Sequence, residues 1–240
     1  LPQDKNTLAG KKTLYFDTMV EMFIMQVPGK ANITFWLPLN YTPAERAAMD
    51  AQAVLLKKAL NDGWPKFKNL LGMQPDKEIS VYIYPLPAGT LGQASLRAVE
   101  DDATIRCRTT IDVNQTGNEI ATRATMVHEL FHCFQYQIPL LNWNSTEEKW
   151  LKEATAKWSE HFVYPNENHE QKFLPLFFKT RNEPMIKADG PYEYAGYPFF
   201  LFLQKTAGEA MVAKVLKDAK TKSVPEALRG LPDFDEKHLD

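Results

Sequence analysis

The period of the apolar residues changes along the chain, and that change constrains the fold more than any other feature. Before residue 117 the pattern is mostly that of strands. Ile33, Phe35 and Leu37 alternate with Asn32, Thr34 and Trp36, and Pro28-Gly29 supplies a hairpin turn. Ile79, Val81 and Ile83 mark a short strand closed by Pro85 and Pro87. Residues 104–113 form another, with Ile105, Cys107, Thr109, Ile111 and Val113 on one face and Arg106, Arg108 and Asp112 on the other. One helix interrupts this series. Thr42-Pro43-Ala44-Glu45 is a capping box with proline at the first helical position, and Asp62-Gly63 is expected to end the helix near Asn61. After Gly117 the spacing becomes helical, over about 119–137, 146–163, 194–204, 208–219 and 224–229. Strands first and helices later is an α+β arrangement. It divides into an N-terminal β segment (1–40), an N-terminal lobe (41–137) and a helical C-terminal lobe (138–240).

Charge and hydropathy exclude several classes of partner. A net charge of −2 gives no basic stripe for nucleic acid or anionic membrane. The longest apolar run, Tyr197 to Leu203, contains Pro198 and falls far short of the roughly 20 residues of a membrane span. N-x-S/T sequons stand at Asn32, Asn40, Asn114 and Asn144, where composition alone supplies about one. They favour an exported, extracellular protein. Separately, the chain opens on Leu1 rather than methionine, so something upstream is expected to have been removed, in a way the sequence does not specify.

The chemistry lies in His128-Glu129-Leu130-Phe131-His132, an H-E-x-x-H. On a helix, residues i and i+4 lie about 40° apart around the axis and roughly 6 Å apart along it. Two imidazoles so placed can bind one tetrahedral Zn2+, with Glu129 beside the first ligand as general base. Among five histidines such a pattern arises by chance with a probability of roughly 1%. Ile120, Ala124, Val127 and Phe131 recur at helical spacing and offer an apolar face.

A catalytic zinc takes three protein ligands. Metzincins continue with a glycine and then a third histidine at fixed offsets, where this chain has Gln135 and Ile138, which excludes that class. Downstream, Ser145 and Glu148 form a capping box that opens a second helix, Trp150-Leu151-Lys152-Glu153-Ala154-Thr155-Ala156-Lys157-Trp158-Ser159-Glu160. Glu153 falls about two turns in. Glu160 lies about 10 Å further along the axis, too far to reach the same ion, and His161 is the rival third ligand.

An H-E-x-x-H helix followed about twenty residues later by W-x-x-E-x-x-A-x-W-x-E resembles the gluzincins, the thermolysin-like superfamily of zinc metallopeptidases. The likeness spans about residues 75–205 and is strongest over 124–160. Lys152 and Ala154 flank Glu153 where many members have asparagine or glycine. The resemblance implies a two-lobed fold with an N-terminal sheet, an active-site helix and a mainly helical C-terminal lobe. It implies zinc held by His128, His132 and Glu153, Glu129 as the base, and a peptide or protein as substrate. It also implies an oxyanion donor in Tyr192-Glu193-Tyr194-Ala195-Gly196-Tyr197. Tyr194, which opens the helix, is the expected donor, with Tyr192 and Tyr197 as alternatives and aromatic core packing as the other reading of all three; the aminopeptidase form of the pattern places Glu193 there. Thr90–Ala94 corresponds to a substrate-pairing strand or an ordinary turn. Cys107 and Cys133 fit a disulfide or two buried thiols. A non-catalytic binding module and a zinc hydrolase of a non-peptide amide or ester are the alternative functions.

Overall fold

The computed structural model describes residues 19–26, 32–38, 41–99, 104–115, 117–138, 145–179, 185–186 and 188–231. The turn expected at Pro28-Gly29 and the sequons at Asn40 and Asn144 lie outside them, whereas Asn32 and Asn114 are exposed. The fold is α+β, a small mixed sheet with helices making up most of the rest. Strands β1 (Met19–Gln26), β2 (Asn32–Pro38), β3 (Ile79–Tyr84), β4 (Gly92–Val99) and β5 (Thr104–Asp112) lie in the order β1-β2-β3-β5-β4. The outer pairs β1–β2 and β5–β4 are antiparallel, and β2–β3 and β3–β5 are parallel. The helices are α1 (Pro43–Leu71), α2 (Glu119–Gln135), α3 (Thr146–Val163), α4 (Leu174–Lys179), α5 (Tyr192–Ala195), α6 (Tyr197–Ala207), α7 (Glu209–Asp218) and α8 (Val224–Arg229). Among the described residues no helix is long and apolar enough to cross a membrane.

The chain divides into two compact units, one of residues 1–65 with 74–136 and one of residues 66–73 with 137–240. In the first, β2 is buried from Ile33 to Leu37 on both faces, as a strand paired on both sides can be. Ile33, Phe35 and Leu37 fill one face. On the other, Trp36 stacks on its register partner Tyr82 at 6.0 Å, and the Arg108 guanidinium stands 4.3 Å from the Tyr82 ring. In the second unit Trp150, Trp158, Phe200, Val215, Leu216 and Leu228 are fully buried, and Trp158 Nε1–H donates to Gln204 Oε1 at 2.8 Å.

Both expected capping boxes form. Thr42 N–H donates to Glu45 Oε2 at 2.8 Å, and Glu148 N–H donates to Ser145 Oγ at 3.2 Å. The end expected for α1 at Asp62-Gly63 is wrong, because the helix continues through Gly63 and Pro65 to Leu71. The two breakers cost about 1 and 3 kcal/mol in a helix interior. Burial of Phe67 and Leu71, at about 2–3 kcal/mol each, offsets them, and buried Trp64 adds an edge contact with Phe134 at 5.1 Å. A second difference is Ile120, which is 44% exposed in the first turn of α2. From Ala124 to Gln135 that helix is buried on every side, so it has no single apolar stripe to be read. The sequence also gave no sign of α4, which buries none of its residues.

Cys107 and Cys133 form a disulfide with Cα atoms 5.5 Å apart, so the thiol reading is set aside. The bond joins β5 to α2 beside His132. Closing a loop of sequence separation 26 contributes about 3.5 kcal/mol on the chain-entropy relation.

Candidate metal centre

Helix α2 starts at Asn118, whose Oδ1 accepts Ala121 N–H at 3.0 Å, and Glu119 sits favourably in the positive first turn. Two turns later the helix places His128, Glu129 and His132 at 5%, 5% and 4% exposure. Three buried titratable groups within five residues need a polar purpose. The two imidazoles meet edge to face with centroids 4.7 Å apart. His132 Nδ1–H donates to Gln135 Oε1 at 2.7 Å, and Gln135 is fully buried. With its proton on Nδ1, His132 keeps the Nε2 lone pair for a metal, the usual arrangement of a ligating histidine.

Glu153 stands two turns into α3, its side chain 12% exposed and 3.2 Å from Lys152 Nζ. Among the described residues, His128, His132 and Glu153 form a group able to hold a metal ion, their ligand atoms within 4.8 Å of one another. Two imidazoles and a carboxylate are a donor set that a tetrahedral zinc takes. Two nitrogens and one carboxylate oxygen make a catalytic rather than a structural donor set, and the disulfide removes both cysteines as rival ligands. The residues fit zinc.

The polar groups near the end of α3 are engaged elsewhere. His161 Nδ1 pairs with Glu170 Oε1 at 3.0 Å, and His169 Nδ1 pairs with Glu160 Oε2 at 2.8 Å. Lys157 Nζ donates to Glu160 Oε1. These contacts dock the 3-10 turn His169–Phe173 on the end of α3.

The helix expected over 194–204 begins at Tyr192 and is divided at Gly196. A Cβ at Gly196 would lie 2.4 Å from Trp150 Nε1 and 2.9 Å from Ala154 Cβ, so glycine lets this segment rest on α3 beside Glu153. The Tyr194 ring packs against Phe173 at 5.2 Å, with Lys157 Nζ 5.7 Å from its centroid. Tyr197 is 1% exposed, and burial, with the Glu170 and Glu160 charges, pushes its phenol up to about 12. Burial and then the charge of Glu153 push the Glu193 carboxyl above the usual carboxylate range. Residues Gly92–Val99 form the edge strand β4, so the segment Thr90–Ala94 enters a strand rather than closing an ordinary turn.

Sequence reasoning passed over Gln135 as a partner of His132. Its signal was the one-turn spacing from a candidate ligand histidine, where an orienting acceptor is common.

Among solved structures the chain is similar to an M1 zinc metallopeptidase from Deinococcus radiodurans, at 16% identity and a TM-score of 0.49, covering 92% of this chain and 50% of that one. It is also similar to an aminopeptidase N family protein from Idiomarina loihiensis, at 12% identity and a TM-score of 0.48, covering 91% and 45%. The chain thus spans about half the length of these structures. Comparison with curated proteins finds no match. Residues 109–240, more than half of the chain and including every residue of the candidate centre, match the model of a family of unknown function, DUF6055, and the chain belongs to that family.

Proposed function

We propose that the chain is a gluzincin-type zinc metallopeptidase that hydrolyses peptide bonds, with zinc held by His128, His132 and Glu153 and Glu129 as general base. The observation that carries this reading is the convergence of those three ligands, two of them from an H-E-x-x-H helix. Zinc, when bound, supplies Lewis acidity that makes water a stronger acid and polarises a carbonyl. Glu129 takes the proton of the attacking water and passes it to the leaving amine. A structural metal site has no use for a carboxylate at that position. The edge strand β4 offers main-chain groups to an extended peptide. The thermolysin-like two-lobed architecture and an extracellular location belong to the same proposal.

The test is incubation of the purified protein with a peptide library, with and without a chelator. Cleavage that stops on chelation and returns with zinc is the expected result. Cleavage of esters or non-peptide amides alone would move the substrate class, and no zinc uptake at all would refute the reading.

Tyr194 carries the oxyanion role in this proposal. Tyr194→Phe removes only the hydroxyl and is expected to lower turnover about 10²-fold, with zinc content and melting temperature unchanged. Tyr197→Phe, altering a fully buried packing residue, is the control. Wild-type turnover in Tyr194→Phe would take the role from that residue.

A further inference from the structure

The edge strand β4 begins with a residue that the sheet itself does not require to be glycine. Gly92 pairs with Ile111 in ordinary antiparallel register and has no left-handed backbone angle. What it lacks is room. A Cβ there would lie 2.6 Å from Thr125 Cγ2, 2.8 Å from Glu129 Oε1 and 2.9 Å from Glu129 Cγ. The Glu129 side chain therefore rests on the bare main chain of Gly92, and two of the three collisions are with the carboxylate arm itself.

The main chain at this point is held tightly. Leu91 C=O accepts Asp112 N–H at 2.9 Å and also accepts Gln115 Nε2–H. Gln115 Oε1 in turn accepts the Thr125 hydroxyl at 3.2 Å, and Gln115 C=O accepts the Thr122 hydroxyl at 3.3 Å. Gln115 is 6% exposed, so these bonds form away from water. Thr125 precedes Glu129 by one turn on α2. A single amide side chain thus ties the start of β4 to the helix face that carries Glu129.

We propose that Gly92 and Gln115 are positioning residues for Glu129: Gly92 by leaving the space in which the carboxylate lies, Gln115 by fixing the height of the main chain beneath it. The proposal rests on the reading of Glu129 as the base. A base must meet its proton within hydrogen-bond reach, and a misplacement of 1 Å costs about 10²-fold in rate. Of the atoms that a new methyl group would strike, those of the Glu129 arm sit on the longer and more easily turned side chain, so Gly92→Ala moves the carboxylate along with whatever shift Thr125 Cγ2, at 2.6 Å, forces on the strand.

The test is a double-mutant cycle on the zinc-loaded protein. Gly92→Ala is expected to retain one zinc per chain and to lower kcat by about 10²-fold, with KM changing less than ~3-fold. Added to Glu129→Gln it should slow turnover no further, within ~3-fold, because the base it displaces is already gone. Wild-type kcat in Gly92→Ala, or a full additive loss in the double variant, overturns the proposal. If Gly92→Ala does not fold, Gln115→Met replaces it in the cycle, with an expected ~10-fold fall in kcat that vanishes beside Glu129→Gln; additivity there is equally fatal. Melting temperatures separate this proposal from the functional reading. Gly92→Ala should lower the melting temperature less in a Glu129→Ala background than in wild type, and a Gly92→Ala protein that folds only in that background counts as the same result. An equal lowering in both backgrounds overturns the positioning role even if no peptide is ever cleaved.

Discussion

Glu129→Gln is expected to keep one zinc per chain and to lose peptide hydrolysis by at least ~10²-fold. The substitution preserves the length and shape of the side chain, so the packing over Gly92 and Thr125 survives. What changes is basicity: an ionised carboxylate can take a proton from water and an amide cannot. Glu129 does not belong to the group of metal-binding atoms formed by His128, His132 and Glu153, so zinc affinity should be nearly untouched. The pair of measurements is therefore diagnostic. Metal analysis reads the ligands and turnover reads the base. Undiminished turnover in a zinc-replete Glu129→Gln protein would remove this residue from the mechanism. Loss of zinc together with activity would instead make Glu129 a ligand.

How much of this could be read in advance depended on the range of the signal. The capping boxes at Thr42 and Ser145 are contained within four residues, and both form as expected. The spacing of His128 and His132 is likewise a property of one helix. Features set by distant residues were less legible. Gly63 and Pro65 announce a break, yet α1 runs through them because Trp64, Phe67 and Leu71 find buried places that local propensity cannot anticipate. The pairing of Cys107 with Cys133 depends on β5 lying against α2, which no spacing within either element reveals. Gly92 read as part of either a substrate-pairing strand or an ordinary turn, and neither reading pointed to the carboxylate that a side chain there would strike. The carboxylates Glu160 and Glu170 likewise find their partners across loops.

The choice of third ligand produces the other large effect. Glu153 and His161 lie on the same helix, two turns apart, and a catalytic zinc accepts either residue type. Their surroundings differ. Glu153 is drawn together with both histidines of α2, while His161 is paired through Nδ1 with the buried carboxylate of Glu170. Glu153→Ala removes one of three protein ligands, as His128→Ala and His132→Ala do, and each is expected to weaken zinc binding by well over ~10²-fold, beyond the 10–100-fold typical of losing an outer partner. His161→Ala should leave zinc affinity within ~3-fold of wild type, because it releases only the Glu170 contact. Its cost falls on stability instead, since Glu170 is 1% exposed and would lose a partner away from water. Competition with a zinc chelator measures the affinities, and thermal melts of the same proteins measure the stability. A Glu153→Ala protein with wild-type zinc affinity, beside a His161→Ala protein that loses the metal, would reverse the assignment and end the gluzincin reading. The alternative outcome, strong zinc loss in Glu153→Ala with a destabilised but zinc-replete His161→Ala, separates the two residues by role: one holds the metal, the other holds the end of the helix that presents it.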